Sequence, residues 1–419
     1  MIINPTKKVA FLCSYKPRKC GIATFTSDLI TNVGLAGIEE FEPAVIAMQA
    51  NDELEHDETV KLCIRKDVEY DYISAAEYIN RSDVDLVSVQ HEFGLFGGEA
   101  GSYLSLLLDR MNKPVVTTLH TVLERPATAY FDSLVDVCEA SDRVVVMNKR
   151  GIRMLNDIYS VPERKIELIP HGIPCLPLVD SSFYKRKLGL SGRKTILTFG
   201  LLNENKGIEV MLRALPSLVE ADPSILYIVL GATHPEVLRQ NGPSYRLKLK
   251  KLVVDLGLQN NVIFHHRFVD DEELFLFLGA TDVYVTPYLH KEQLTSGTLA
   301  FAVGIGKAVV STPYWAAEEL LAQGRGKIVP FGDSKSMARS ITEILENESL
   351  SLEMRRRAYE YGRSMTWPKV GQAYWKLFEK LMPSTAIPHK INVIPQVEKC
   401  QNSTKSHLFY DQKNTLILR

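Results

Sequence analysis

The order strand, polar loop, helix, strand between Thr281 and Ser311 constrains the fold of this chain more than any other feature. The run TDVYVTP is rich in β-branched residues and ends in proline, which predicts a buried strand and its exit. Ser296 is a good helix cap, and the helix should run to about Val303, where the glycines of GIGK stop it. The run from Ala308 predicts the next strand. Such a unit is typical of an open α/β sheet.

The start of this helix is a candidate anion site. The first backbone N–H groups of a helix have no partner within the helix, and the helix dipole is positive there. The residues Thr295, Ser296 and Gly297 would therefore present donors to a diphosphate or a sugar phosphate. An ordinary strand-to-helix turn with a serine cap gives the same local pattern, so the motif alone leaves both interpretations open.

The same alternation recurs along the chain in two blocks. The first block contains predicted strands at 8–13, 41–49, 84–93, 113–122, 142–148 and 166–169. The second block adds predicted strands at 195–199, 226–230 and 262–264 to the two described above. Prolines and a polar segment separate the blocks. We therefore expect an N-terminal α/β domain over 1–173, a linker over 174–190, a second α/β domain over 191–366, a helix over 367–382 and a loosely ordered tail over 383–419.

Charge and hydropathy exclude some classes of function. The formal net charge of −1 gives no basis for bulk binding to nucleic acid or to an anionic membrane. No apolar run approaches the ~18 residues of a membrane span, and the run near the start is too short for a signal peptide. We expect a cytoplasmic protein. Peripheral membrane contact and oligomeric state stay open, because the pattern does not separate an amphipathic surface helix from a core helix.

Several motifs, in this order, resemble the retaining glycosyltransferases of family 4, which have the GT-B fold. They are a glycine loop after the first strand, a histidine that ends the strand VVTTLH, the sequence IPHG between the blocks, a lysine–glycine loop in the second block, and the helix that starts at Ser296. The resemblance covers roughly residues 8–382. It implies two Rossmann-like parallel-sheet domains that face a cleft, with the donor on the C-terminal side and the acceptor on the N-terminal side. The helix over 367–382 would cross back onto the first domain.

The resemblance also implies roles for individual residues on the donor side. His120 would lie against the donor sugar near the bond that breaks, where an imidazole can donate a hydrogen bond or orient the reacting groups. Lys206 and the amides of residues 295–297 would hold the diphosphate. Gly21 would face the donor phosphates, although a helix-entry glycine explains it equally well. Arg267 and Phe268 stand where the family lays the nucleobase on backbone and apolar surface.

Three polar residues on the N-terminal side are candidate acceptor contacts. His91 and Glu92 follow a predicted strand, at the carboxyl end where open α/β sheets bind ligands. Glu124 comes shortly after His120 in the next such loop. A histidine–glutamate pair that only satisfies local hydrogen bonds is the alternative interpretation.

The chain departs from the family where the family binds its donor most firmly. Family members carry two glutamates eight positions apart around the last motif, and Gln293 and Phe301 stand at those positions here. The arginine that grips the diphosphate is replaced by Leu201. An amide can still hydrogen-bond a sugar hydroxyl, so we assign Gln293 to the catalytic site beside His120. A phenyl ring at 301 can only pack against ribose hydroxyls.

The function implied by the resemblance is retaining transfer of a hexose from a nucleotide sugar to a sugar or glycoconjugate acceptor. Mannose and glucose are the family's common choices, carried by GDP or UDP. The diphosphate would be stabilised by protein groups, with no metal and no other cofactor, and no metal-ligand spacing occurs in the sequence. The departures keep two alternatives open: a phosphorylase that uses a sugar 1-phosphate, and a catalytically silent binder of sugars or nucleotides.

Overall fold

Two parallel sheets, one after the other along the chain, organise the structure. The computed structural model describes residues 6–37, 40–49, 55–178 and 180–382. The tail over 383–419, which we expected to be loosely ordered, lies outside the described residues. Within the described part, no helix combines the length and the apolar character needed to cross a membrane.

The first sheet is formed by strands from the N-terminal block. Its members are β1 (Lys7–Cys13), β2 (Phe41–Gln49), β3 (Val60–Arg65), β4 (Leu86–His91), β5 (Val115–Leu119), β6 (Arg143–Val146) and β7 (Ile166–Leu168). They are all parallel, in the order β3-β2-β1-β4-β5-β6-β7. The strand order therefore reverses between β1 and β4, and loops that leave such a switch point form a ligand crevice.

The second sheet repeats this topology. Its members are β8 (Lys194–Phe199), β9 (Ile225–Leu230), β10 (Val262–His265), β11 (Val283–Thr286), β12 (Ala308–Ser311) and β13 (Lys327–Ile328). They are parallel in the order β10-β9-β8-β11-β12-β13, so this sheet reverses between β8 and β11. The predicted architecture of two Rossmann-like parallel-sheet domains is confirmed.

Helices cover both sheets. They are α1 (Gly21–Gly37), α2 (Glu69–Arg81), α3 (Tyr103–Leu108), α4 (Thr128–Ala140), α5 (Lys149–Asp157), α6 (Ser181–Lys187), α7 (Ile208–Ala221), α8 (Pro235–Asn241), α9 (Ser244–Asp255), α10 (Asp271–Ala280), α11 (Gly297–Gly304), α12 (Trp315–Leu320), α13 (Ser334–Glu346), α14 (Glu348–Gly362) and α15 (Trp367–Leu381).

Burial on both faces explains why the central strands are continuous apolar runs. In β1, Val9 and Phe11 pack into one core, with side chains of α1 and α15. Ala10 and Leu12, which point to the other face, pack into a second core that includes residues of α2 and α3. A strand buried on both faces has no polar side, so its sequence does not alternate.

The last helix, α15, returns to the first domain. Phe378 packs edge-to-face on Phe11, with ring centroids 6.4 Å apart, and the Tyr374 hydroxyl lies 2.9 Å from Thr118 Oγ1. At the crossing, the indole of Trp367 lies so close to Gly172 that a Cβ on Gly172 would overlap the ring. The glycine of the IPHG sequence is therefore required by the approach of α15.

Candidate active site

A cavity of about 360 Å³ lies between the two domains, beside the switch points of both sheets. From the first domain it is lined by the first half of α1, including Gly21, Phe25 and Asp28. From the second domain it is lined by the loops after β8, β9 and β11 and by the start of α11. This is the place where α/β domains of this topology bind ligands.

The start of α11 forms one wall of the cavity. Ser296 caps the helix, because its Oγ accepts a hydrogen bond from the Leu299 amide at 3.4 Å. Thr295 Oγ1 is buried without a partner among the described residues. The Gln293 side-chain amide donates to the Thr295 carbonyl at 3.1 Å, which anchors one end of that side chain. The wall therefore offers first-turn amides to a ligand.

Lys206 brings a positive charge to the same cavity. Its Nζ donates a hydrogen bond to the Tyr288 hydroxyl at 2.8 Å and lies 3.9 Å from the centre of that ring. It forms no ion pair with any carboxylate of the described residues. A phenol orients an ammonium without neutralising it, so the charge of Lys206 remains available to an anion.

Gly21 opens onto the cavity from the opposite side. A Cβ built on Gly21 would meet no protein atom within 4 Å. The packing of the protein therefore does not require glycine at this position. A ligand that passes close to the start of α1 would be the reason for its small size.

The positions where the chain departs from the family line the cavity too. Phe301, on α11, and Leu201, after β8, both face it. They place apolar surface where family members have a glutamate and an arginine. The cavity thus combines the Lys206 ammonium with an apolar wall.

His120 is not among the residues that line the cavity. Phe25, which does line it, packs edge-on against the His120 ring with centroids 5.0 Å apart. The His120 Nε2 atom lies 3.0 Å from Gln90 Oε1. Its N–H group therefore donates to Gln90 and not to a ligand. Burial, and then the neighbouring histidines 171 and 91, lower the pKa of His120 to about 3, so the ring is neutral. Phe25 thus stands beside His120 on the side of the cavity.

His171, in the IPHG sequence between the two domains, lines the cavity instead. Its ring packs against Phe25 at 5.1 Å and Phe301 at 6.1 Å between centroids. The contact with Phe301 joins residues far apart in sequence, so no local sequence pattern predicts it.

The predicted acceptor contacts lie away from the cavity. His91 is fully buried between Phe93 and Phe96, and burial lowers its pKa to about 4. Neither of its ring nitrogens has a hydrogen-bond partner in the part of the chain that the structure describes. Glu92 accepts hydrogen bonds from Thr121 Oγ1 at 2.7 Å and from its neighbour's amide, and burial raises its pKa. These contacts match the alternative in which the His91–Glu92 pair serves the local structure.

Glu124 is held in an ion pair with Arg150 of the same domain. Arg150 lies 3.0 Å from Glu124 in the first domain and 3.5 Å from Glu318 in the second. The guanidinium also stacks 4.5 Å from the centre of the Trp315 ring. In this arrangement Arg150 bridges the two domains, and Glu124, its partner within the first domain, does not line the cavity.

Arg267 also points elsewhere. Its guanidinium forms an ion pair with Glu273 in the first turn of α10, and the side chain is largely exposed. The following residues, Phe268 and Val269, line the cavity and offer the apolar surface on which a base could lie. Of the two residues expected near the nucleobase, Phe268 lines the cavity and Arg267 does not.

Asp28 is a cavity residue that the sequence did not reveal. It sits in the middle of α1, where an acid is normally a surface residue, but here it faces the cavity. Burial, and then the nearby Asp271 of the second domain, raise the pKa of Asp28 to about 7. Two carboxyl groups from different domains therefore approach each other at this cavity.

Comparison with known proteins gives the family. The family model described as "Glycosyltransferase Family 4" matches residues 33–175, and the model described as "Glycosyl transferases group 1" matches residues 180–365. The two matches follow each other along the chain, one in each domain. The chain belongs to the group 1/family 4-like glycosyltransferases.

Individual relatives of this glycosyltransferase are distant. A phosphatidyl-myo-inositol mannosyltransferase from Mycolicibacterium smegmatis is 26% identical over 72% of this chain and 73% of the relative. A mannosylfructose-phosphate synthase from Agrobacterium fabrum is 24% identical over 58% of this chain and 54% of the relative. The chain thus spans about half to three quarters of the length of these relatives.

Solved structures share the fold. The structure of Anabaena Alr3699/HepE, described in complex with UDP and glucose, has a TM-score of 0.71 and 16% identity over 90% of this chain and 100% of that chain. Sucrose-phosphate synthase from Thermosynechococcus elongatus has a TM-score of 0.70 and 17% identity over 90% of this chain and 99% of that chain. At such identities the likeness concerns the fold alone.

Proposed function

We propose that this glycosyltransferase moves a hexosyl group, mannose or glucose, from a nucleotide sugar to a sugar or glycoconjugate acceptor. The observation that carries the proposal is the convergence of the Lys206 ammonium and the start of α11 on one interdomain cavity. A departing nucleoside diphosphate develops negative charge, and a fixed ammonium with first-turn amides stabilises that charge. The proposal assigns this task to protein groups, with retention of anomeric configuration and no divalent metal.

The relatives support the choice of substrate class. One relative is named a mannosyltransferase. A solved structure of the same fold is described as a complex with UDP and glucose. In this chain, Phe268 and Val269 would take the base, and Lys206 the diphosphate. The transferred sugar would then lie towards α1 and His171, and the acceptor would enter from the side of the first domain.

Ligand binding to the purified chain tests the proposal. We expect UDP or GDP to raise the thermal midpoint, and the corresponding UDP-glucose or GDP-mannose to raise it further. Lys206→Ala should weaken nucleoside diphosphate binding about 10- to 100-fold, the range for a charge-assisted hydrogen bond. Lys248→Ala, at an exposed position on α9 that does not line the cavity, is the matched control.

Turnover completes the test. The anomeric configuration of the product, read by NMR, should equal that of the donor, and activity should survive removal of divalent metal with a chelator. Inversion, or loss of activity that magnesium or manganese restores, would contradict the corresponding part of the proposal. Binding of a nucleotide sugar without transfer to any carbohydrate acceptor would make the chain a binder.

A phosphorylase is the second candidate, and the apolar residues Phe301 and Leu201 are the observation that favours it. They remove the glutamate and the arginine with which the family holds a nucleotide, whereas Lys206 and α11 would still hold inorganic phosphate. A thermal shift with phosphate or a hexose 1-phosphate, and none with any nucleotide, would decide for this candidate.

A further inference from the structure

The orientation of the His171 ring is fixed by contacts on several sides. Besides Phe25 and Phe301, the ring lies 6.1 Å from Trp367 between centroids. Its Nδ1 atom is 2.7 Å from the carbonyl oxygen of Gly172. A carbonyl oxygen can only accept, so Nδ1 carries a proton and donates it. Burial lowers the pKa of His171 to about 4, so the ring carries no second proton at neutral pH.

The other nitrogen, Nε2, is therefore a lone-pair acceptor. In a neutral imidazole, the hydrogen bond made by one nitrogen decides the protonation of the other. Nε2 has no hydrogen-bond partner among the described residues, and His171 lines the cavity. An uncharged acceptor thus faces the space in which the donor would lie.

The Nε2 atom lies close to the start of α11, which forms one wall of the cavity. A Cβ on Gly297, the first residue of α11, would lie 2.8 Å from Nε2. The absence of a side chain at 297 is what allows the ring to stand beside the helix start. The acceptor Nε2 and the donor amides of the first turn are consequently next to each other.

A lone-pair acceptor beside amide donors favours one kind of ligand group over another. The diphosphate of a nucleotide sugar has no proton to donate at neutral pH, so its oxygens would meet the Nε2 lone pair unfavourably. A sugar hydroxyl can donate to Nε2 and accept from a backbone amide at the same time. The chemistry therefore matches a hydroxyl group and not a phosphate.

We propose that His171 Nε2 accepts a hydrogen bond from a hydroxyl of the transferred sugar and so contributes to the choice of that sugar. The inference rests on the proposed function, because it requires a nucleotide-sugar donor. It makes His171 a specificity-determining residue, next to Gln293, whose anchored amide leaves the side-chain oxygen to a second hydroxyl.

The test separates the sugar from the nucleotide. We define the sugar increment as the ratio of the Kd of the nucleoside diphosphate to that of its nucleotide sugar, both measured by calorimetry. His171→Phe keeps an aromatic ring for Phe25 and Phe301 and removes the acceptor. We expect it to reduce the increment about tenfold, the effect of one hydrogen bond, and to leave the Kd of the nucleotide nearly unchanged.

Two further variants make the result specific. His171→Gln can place an amide oxygen near the position of Nε2 and should restore part of the increment. His265→Phe is the matched control, since His265 packs on Phe277 and does not line the cavity. Its sugar increment should equal that of the unmodified protein.

A spectroscopic measurement reads the same atom directly. With 15N-labelled histidine, the Nε2 resonance of His171 should be that of an unprotonated nitrogen, and it should shift on addition of the nucleotide sugar more than on addition of the nucleotide. A protonated Nε2, or a full increment in His171→Phe, overturns the inference alone. The absence of any nucleotide binding overturns the proposed function and this inference with it.

Discussion

Replacing Asp28 with asparagine should change how the stability of the free protein depends on pH. The folded protein raises the pKa of this carboxyl from 3.8 to about 7, first through burial and then through Asp271. The folded state therefore binds the proton more tightly than the unfolded state. Its contribution to stability is complete below the unfolded pKa and is lost as the pH rises through about 7.

The magnitude follows from the shift. About three pKa units at ~1.4 kcal/mol each correspond to at most about 4 kcal/mol of unfolding free energy. Roughly 2.5 kcal/mol of this loss falls between pH 5 and pH 8, because part of the difference is already lost at pH 5. Asparagine keeps the shape and removes the charge. We expect Asp28→Asn to be more stable than the unmodified protein at pH 8, and this advantage to shrink towards pH 5.

Denaturant unfolding of the ligand-free protein at both pH values measures the difference. The indoles of Trp367 and Trp375 belong to the core of the first domain and report its unfolding by fluorescence. Asp132→Asn, at an exposed position on α4, supplies the control for an aspartate-to-asparagine change. Parallel pH profiles for Asp28→Asn and the unmodified protein would refute the assignment of the raised pKa to Asp28.

Two further predictions concern single contacts. Tyr288→Phe keeps the ring under the Lys206 ammonium but removes the 2.8 Å hydrogen bond. Calorimetry should therefore show nucleoside diphosphate binding weakened about three- to tenfold. An unchanged Kd would show that the phenol does not position Lys206. The same change, glycine to alanine, should act oppositely at two positions: Gly172→Ala should destabilise the protein by about 1–3 kcal/mol through overlap with Trp367, whereas Gly21→Ala should leave the unfolding midpoint unchanged and weaken donor binding. Equal unfolding midpoints for the two alanine variants would contradict the packing argument.

Much of the fold was accessible to sequence reasoning, for a physical reason. A central strand of a parallel sheet is buried on both faces, and runs such as VAFLC and ILYIVL therefore stand out. The edge strand β3 did not stand out. It has one largely open side and carries Lys61 and Arg65, so its pattern resembles that of a loop. The very short strand β13, also at the edge of its sheet, was not predicted for a similar reason.

The candidate site was accessible only where it is local in sequence. The cap of α11 and the lysine–glycine loop depend on neighbours a few residues away, and the structure places both at the cavity. The orientation of a histidine depends on contacts from elsewhere. His120 packs against Phe25 and does not line the cavity, whereas His171 lines it and stands close to Gly297 of the other domain, where a side chain would overlap the ring. No local pattern encodes such relations.

The return of α15 to the first domain has a consequence for biosynthesis. Val370, Tyr374 and Phe378 belong to the same core as Val9 and Phe11, yet they follow the entire second domain in the chain. On a ribosome, which releases the chain from its N-terminus, the first domain can be completed only after the second has emerged. Until then this face of its sheet lacks the part of its cover that α15 supplies, and the growing chain exposes an apolar surface of the kind that chaperones bind.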